Sequence, residues 1–564
     1  MSDFFQTPPR LGNQYDEDRV LKTYLEWKLP SSMLTEIQPE LHHLGQRVIE
    51  DIYKLGQEAE AYPPRHIPYD PWGKRIDHIE VSQAWKELDR ISAEEKLIAL
   101  GYERQHGALS RIHQFAKLYL FHPSSAIYTC PLAMTDGAAR ALELYADESL
   151  KKHALSHLIS ADPNYFWTSG QWMTERTGGS DVSGTSTIAR PDGNQFRLSG
   201  VKWFTSATTS QIAMTLARIE GDPEGSKGLS LFYVELRDQM GRLNGIRINR
   251  LKDKLGTRAL PTAELTLENA PALLVGTAGD GVKKISSLFN ITRIYNACCA
   301  VGYMRRAIAL ARDYATKRVA FGHTLSNHVL HLETLANMQI EFTASFHLVF
   351  HAIELLGKDE LGQATKAEQA VLRLLTPLAK LYTAKQAIAL TSEALEAFGG
   401  AGYIEDTGLP QLLRNAQVLS IWEGTTNILS LDALRAMHKE NAAEFFLDDM
   451  QQRLSHIHHK ELIQSKVKTQ NTTQKIKNYI DSMPKMSIEE QQTGARQLAY
   501  ALTQTYAASL LLEHAQWSLQ NNKDTLPAIT AIRWCEKNLS ELISFSQNYN
   551  KESQLLAMDY NEFH

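Results

Sequence analysis

The spacing of apolar residues changes period twice along this chain, and that double switch limits the available folds more than any single motif. From VSQAWKELDRISAEEKLIAL (81–100) through HQFAKLYLFHPSSAIYTCPLAMTDGAARALELYA (113–146), apolar residues recur at helical spacing. The pattern predicts an all-helical N-terminal domain, 1–165. The texture then becomes alternating: TSTIARPDGNQFRLSGVKWFTS (185–206) carries two strand-like segments around a PDGN turn, followed by IAMTLARI, GLSLFYVEL, GIRINRL and TAELTLENA. These segments predict an antiparallel β domain over 166–280, closed as a small barrel. Helical spacing returns in three long runs, 291–321, 331–356 and 366–398, and a shorter one, 427–439. They predict an up-and-down four-helix bundle over 281–440. Residues 441–564 read as a further helical extension, with LAYALTQTYAASLLLEHAQWSL (498–519) its clearest amphipathic segment and KELIQSKVKTQNTTQKIKN (460–478) as a polar linker. The fold class is therefore α+β and multidomain, which suits 564 residues, too many for one core.

Charge and composition exclude several function classes. A net charge of -5 with pI near 6.5 is unlike a general nucleic-acid binder. The C-terminal extension, where a DNA-contacting surface would be sought, holds 12 Lys and Arg against 14 Asp and Glu, net -2, although six of the twelve lie between Lys460 and Lys485. Cys130, Cys298, Cys299 and Cys535 show neither metal nor redox spacing and read as small buried hydrophobes in a reducing compartment. His456, His458 and His459 lie in a polar segment without supporting ligands, so no metal site is expected. The opening residues lack the basic segment and apolar run of a leader, and no apolar run reaches the roughly 18 residues of a membrane span. A cytoplasmic location is expected.

Five short stretches carry residues suited to chemistry. In QWMTERTGGSDVSG (171–184), Gly178, Gly179 and Ser180 offer close backbone approach and amide donors for a phosphate or a flavin edge; taken alone, such a stretch is more often a plain structural turn. No G-x-G-x-x-G opens a βαβ unit there, so a dinucleotide would have to bind in a non-Rossmann manner. In VKWFTS (201–206), a regular strand puts Trp203 and Thr205 on one face, a flat indole beside a hydroxyl; an indole closing the barrel core is the alternative. Arg318, in KRVAFG, suits a phosphate or compensates a helix dipole. Gly399 and Gly400 are one more glycine than a helix cap requires. In LSIWEGTTNIL (419–429), Glu423 is a lone carboxylate between Trp422 and Gly424.

Taken in order, MTERTGGSDV, KWFTS, R-x-x-F-G, FGGAGY and IWEGTTN resemble the acyl-CoA dehydrogenase family over roughly residues 60–440. Within it the chain is most similar to the branch of the alkylation-response protein AidB, by Trp422, by RLKDKLGTR (250–258), by CPLAMTDGAA (130–139) and by the extra helices after the bundle. The resemblance implies non-covalent FAD, an acyl-CoA substrate, an electron-transferring acceptor and a homotetramer. Met173 and Thr174 would meet the pyrimidine side of the flavin, Ser180, beside Gly179, would contact the pyrophosphate, and Trp203 would stack on the ring while Thr205 donates toward N5 with Ser206 beside it. Arg318 and Phe321 would reach the pyrophosphate and adenine held by a neighbouring subunit, Gly399 and Gly400 would approach a pyrophosphate, and Thr425 and Asn427 would complete the site. Glu423 falls on the family's catalytic base, Trp422 would exclude water, and Arg293 would contact the CoA portion or shape the cavity. Thr292 stands where some members carry the base instead, and a threonine cannot serve as one. Val329 departs from a common Gln, which removes one expected cofactor contact. The implied reaction is oxidation of a fatty acyl-CoA to its 2,3-enoyl derivative; DNA protection with FAD as structural cargo, and acyl-CoA sequestration with little turnover, are the competing functions.

Overall fold

A computed structural model describes residues 6–540 and 549–559. The N-terminal region is built on helices including Arg19–Lys28, Ser31–Arg47, Asp51–Ala61, Gln83–Glu94, Ser110–Phe121 and Thr129–Tyr145. Their starts follow local chemistry: the Asp18 carboxylate accepts the Leu21 amide and the Ser82 hydroxyl accepts that of Trp85. Helix Ser110–Phe121 is buried on every side, so its polar residues need partners inside the protein. Arg111 finds Asp136 at 2.7 Å and Glu360 at 2.7 Å, tying this helix to a long helix far along the chain.

The expectation of an all-helical start is corrected by a hairpin, β1 (Arg65–Tyr69) and β2 (Arg75–Glu80). Its strands are short and mostly polar and lie among prolines, so their alternation reads as punctuation. The Asp77 carboxylate holds the hairpin, meeting His66 Nε2 at 2.9 Å and accepting from Arg75 Nε at 2.8 Å and from the Ile248 amide of the β domain at 3.2 Å.

The β domain comprises β3 (Ser169–Trp172), β4 (Ile188–Asp192), β5 (Gln195–Ser206), β6 (Ile212–Ile219), β7 (Leu229–Glu235), β8 (Ile246–Leu251) and β9 (Thr262–Leu274). Strands β6, β4, β5, β9 and β7 pair in a closed ring, with β3 added on β6 and β8 on β9. The pairing is mixed rather than purely antiparallel, because β6 runs parallel to both β3 and β4. A second correction concerns β5, whose register against β9 shifts between Lys202 and Thr205. The bulge turns Lys202 and Thr205 inward and leaves Trp203 outside, so Trp203 and Thr205 do not share a face. Inside, Lys202 Nζ meets Glu175 at 2.8 Å and donates to the Leu216 carbonyl at 2.9 Å.

Three long helices follow, Gly281–Lys317, Val329–Glu360 and Lys366–Ala397, packed along one another with Thr426–Glu440 against the third. The third opens with a reciprocal cap between Thr365 and Glu368. The largest apolar core joins the N-terminal helices to these long helices, and another joins the second and third to the C-terminal extension.

The expected linker at 460–478 is corrected as well, since Ile463–Ser482 is a helix. Its inner face is Ser465, Thr469, Thr473 and Ile476, at helical spacing but almost without apolar side chains. Thr469 and Thr473 satisfy their buried hydroxyls on the carbonyls of Ser465 and Thr469, at 2.8 and 2.9 Å. A face made of self-satisfied hydroxyls packs like an apolar one and is invisible to hydropathy.

Candidate active site

Glu423 sits in the turn between helices Leu409–Leu419 and Thr426–Glu440, with φ +57°, a left-handed backbone that disfavours a side chain. Such a residue costs on the order of 1–3 kcal/mol and persists only where its surroundings over-determine it. Here they do. Lys380, fully buried on the third long helix, donates to the carbonyls of Trp422 and Gly424, each at 2.6 Å. Arg293 Nε donates to the carbonyl of Glu423 itself at 3.3 Å. Asp432 fixes Arg293 at 2.7 Å and also takes Arg373 at 2.8 Å. Every carbonyl from Trp422 to Gly424 is thus held by a cationic side chain from the long helices.

The carboxylate is held as firmly. Thr292 Oγ1 donates to Oε2 at 2.6 Å, and Gln171 Nε2 stands 3.5 Å from Oε1, at the limit of a hydrogen bond. Burial pushes the Glu423 carboxyl above the ordinary glutamate range, and the Thr292 hydrogen bond, Arg293 and Lys380 oppose that rise. Burial also drives the Lys380 amine down to about 7, with Glu423 the opposing influence. Cys130 and Lys254 lie within the same field. The Cys130 thiol is raised by burial and feels both Lys254 and Glu423. Lys254, lowered by burial to about 8, donates to the Leu260 carbonyl at 2.7 Å and Thr262 Oγ1 at 3.1 Å. Ser206 Oγ stands 3.2 Å from that same Thr262 hydroxyl.

On the β side, the Trp203 amide donates to the Thr174 carbonyl at 2.9 Å, which joins the strand of Gln171 to the indole. Met173 is buried and Thr174 half-buried, whereas Gly178, Gly179 and Ser180 form an exposed turn. A Cβ at Gly179 would fall 2.5 Å from Thr174 Oγ1, so glycine permits that turn to lie against Thr174. Lys252 Nζ lies 3.8 Å from the Trp203 ring centroid. Thr205 is buried and spends its hydroxyl on the Ala263 carbonyl at 2.8 Å. Trp422 is partly buried against the main core, while Thr425 and Asn427 are exposed at the start of the following helix.

The structure therefore gathers Glu423, Arg293, Trp422, Met173, Thr174 and Trp203 into one region. Arg318, Phe321, Gly399 and Gly400 lie elsewhere. Arg318 follows the last residue of the first long helix, about 39 Å along it from Thr292 at 1.5 Å per residue. The Tyr314 and Phe398 rings pack 4.6 Å apart, which puts the Gly399–Gly400 turn at that same end. Phe321 is 95% exposed on a short hairpin.

Sequence reasoning missed Lys380, Gln171 and the positive role of Thr292. Lys380 had one visible signal, a lone cation within the apolar run LTPLAKLYTA. Gln171 had none, since its orientation depends on which strand β3 joins.

Residues 279–438 match the family description "Acyl-CoA dehydrogenase, C-terminal domain" and residues 170–270 "Acyl-CoA dehydrogenase, middle domain". Residues 6–163 match "Adaptive response protein AidB N-terminal domain", and 441–561 "Acyl-CoA dehydrogenase 11 C-terminal domain-like". The chain is 44% identical to acyl-CoA dehydrogenase family member 11 of Caenorhabditis elegans, over 94% of this chain and 88% of that protein. It is 32% identical to the putative acyl-CoA dehydrogenase AidB of Escherichia coli K12, over 71% and 74% of the two chains. The crystal structure of Caenorhabditis elegans ACDH-11 in complex with C11-CoA superposes with a TM-score of 0.96 at 43% identity, covering 100% of this chain and 98% of that one.

Proposed function

The chain belongs to the acyl-CoA dehydrogenase family, and we propose that it oxidises a fatty acyl-CoA to the 2,3-enoyl-CoA with Glu423 as the base. The observation that carries this reading is the state of Glu423: a desolvated carboxylate aimed by Thr292 at 2.6 Å, on a left-handed turn clamped by Lys380 and Arg293. Removing a proton from the carbon beside a thioester needs a base whose pKa lies nearer the working pH than that of a free carboxylate. Burial supplies that shift, and the Thr292 hydrogen bond limits it so that the group still ionises. Trp422 covers the site against water.

The residues present fit FAD. Gln171 Oε1, on β3 just before Met173 and Thr174, is buried and has no hydrogen-bond partner among the described residues, an acceptor suited to a ring N–H. Met173, Thr174, Gly179, Ser180, Trp203 and Ser206 would hold the flavin end, with Thr425 and Asn427 at its margin; Thr205 would act by packing, its hydroxyl being spent on Ala263. When bound, FAD supplies the acceptor for the hydride that leaves the carbon next to the deprotonated one. Arg293, anchored by Asp432, is suited to steer the CoA portion while it holds the turn. The relative crystallised with C11-CoA supports a medium-length acyl thioester as the first substrate to try.

Anaerobic titration of the yellow protein with acyl-CoAs, following flavin absorbance, tests the reading. Glu423→Gln keeps size and much of the hydrogen bonding but removes the base. Flavin reduction in this variant is expected to fall about 10²–10⁴-fold with FAD content and acyl-CoA binding retained. Equal, negligible bleaching of both proteins with every acyl-CoA would transfer the function to acyl-CoA sequestration.

A further inference from the structure

A cavity lies away from Glu423. It measures about 230 Å³, smaller than the roughly 300–1,000 Å³ of drug-sized ligand sites. Its walls come from five separate parts of the chain: the segment of Pro8 and Pro9, helix Asp51–Ala61 with Tyr53, the loop through Ser124 and Ala126, Arg306 and Leu310 of the first long helix, and the start of helix Leu409–Leu419. Arg306 lies about 21 Å along its helix from Thr292 at 1.5 Å per residue.

Arg306 is 3% exposed, and no carboxylate forms an ion pair with it among the described residues. One nitrogen, Nη2, donates to Ser124 Oγ at 2.6 Å, and the guanidinium lies 5.8 Å from the Tyr53 ring centroid. Its Nε is buried and has no hydrogen-bond partner among the described residues. Burial with neither counter-ion nor full hydrogen bonding lowers the guanidinium to about 10, a direction arginine resists almost everywhere. The neighbouring Arg305, by contrast, is paired with Asp18 at 3.1 Å.

Two independent features point to the same space. Helix Leu409–Leu419 opens onto the cavity with Thr407, Gly408 and Leu409; the Thr407 hydroxyl accepts the Leu409 amide at 3.3 Å, which satisfies one of the donors of that positive end. On the opposite wall, Ala126 and Ile127 both have left-handed backbones, φ +46° and +62°, one of them β-branched. Consecutive strain of that kind marks a wall held in shape by its surroundings. Glu60 contacts Asn415 and Gln411 of the cavity wall; burial raises its pKa and so favours its uncharged form.

We propose that this cavity binds a small monocarboxylate, its carboxylate on Arg306 and the start of helix Leu409–Leu419, its short apolar tail against Pro8, Leu310 and Leu412. One guanidinium matches one negative charge; a free phosphate, with nearly two, would call for a further cation, and among the described residues no other lysine or arginine lines the cavity. The remaining lining of proline, leucine and tyrosine rewards an apolar tail.

Isothermal titration of the FAD-loaded protein with hexanoate tests this, with hexanamide and inorganic phosphate as comparisons. Saturable hexanoate binding with Kd on the order of 1 mM is expected for so small a ligand, with no saturable binding of the other two. Arg306→Met is expected to weaken hexanoate about tenfold or more, while FAD content stays the same and melting temperature is unchanged or higher, because an uncompensated buried charge is removed. Leu310→Trp, which fills the cavity and leaves Arg306 in place, is expected to abolish binding and decides the matter alone if Arg306→Met does not fold. Absence of saturable hexanoate binding, equal binding of hexanamide or phosphate, or full hexanoate binding by the Leu310→Trp protein would each overturn the proposal.

Discussion

At the scale of single residues, Thr292 shows how a side chain incapable of one role performs another. A threonine cannot abstract a proton, yet its hydroxyl lies 2.6 Å from the carboxylate proposed to do so. Because this hydrogen bond favours the ionised form, it lowers the Glu423 pKa against the rise from burial. Thr292→Val keeps the shape and removes the donor. The acid limb of the pH profile for substrate-dependent flavin reduction is then expected to move to higher pH, by about one to two units if the bond contributes the roughly 1.5–3 kcal/mol of hydrogen bonds to charged groups. An unmoved limb would show that Thr292 does not set the base's ionisation. Glu423 itself was legible from its motif, because the neighbouring Trp422, Gly424 and Thr425 are read together. Lys380 and Gln171 were not, because what matters about them is which carbonyl or carboxylate they face, and that is fixed only when the third long helix and β3 are packed against the turn.

At the scale of elements, the double change of hydrophobic period was enough to find the helical start, the strands and the long helices, and it failed wherever period and burial part company. In β5 a one-residue bulge reverses the inward side between Lys202 and Thr205, and no strand pattern announces it. In Ile463–Ser482 the buried face is hydroxylic. There, Thr473 is 1% exposed and its hydroxyl is spent on its own helix, so Thr473→Val should leave stability within about 1 kcal/mol. Thr473→Leu should overpack the contact with the extension's other helices and cost about 1–3 kcal/mol, read as a lower melting temperature. If both variants melt like the parent, that face is not packed as described. The β1–β2 hairpin was missed for a related reason: what stabilises it is the buried Asp77 cluster rather than an apolar stripe.

At the scale of the whole molecule, the residues expected to touch one cofactor fall into two groups near opposite ends of the first long helix. Gln171, Thr174, Trp203 and Glu423 are at one end; Arg318, Phe321 and the Gly399–Gly400 turn are at the other, about 39 Å away along a helix rising 1.5 Å per residue. No single dinucleotide spans both groups within one chain. A site using both must be shared between chains, and the 95% exposed Phe321, with Val329 and Leu330 beside it at 84% and 80%, is apolar surface that a second copy would cover. The homotetramer that the resemblance implies would satisfy this, and it makes a prediction that a self-contained site does not. Trp203→Ala damages the ring end of the site and Arg318→Ala the far end, so each homo-oligomer should retain little FAD. Unfolding and reassembling the two variants together, in equal amounts, should restore FAD to part of the mixed assemblies, because a pair of chains with one lesion each contains one fully intact shared site. Absorbance of the gel-filtered mixture measures it. FAD content no higher than the average of the separate variants, in assemblies shown to be mixed, would place both ends of the cofactor on one chain and remove the reason for a shared site.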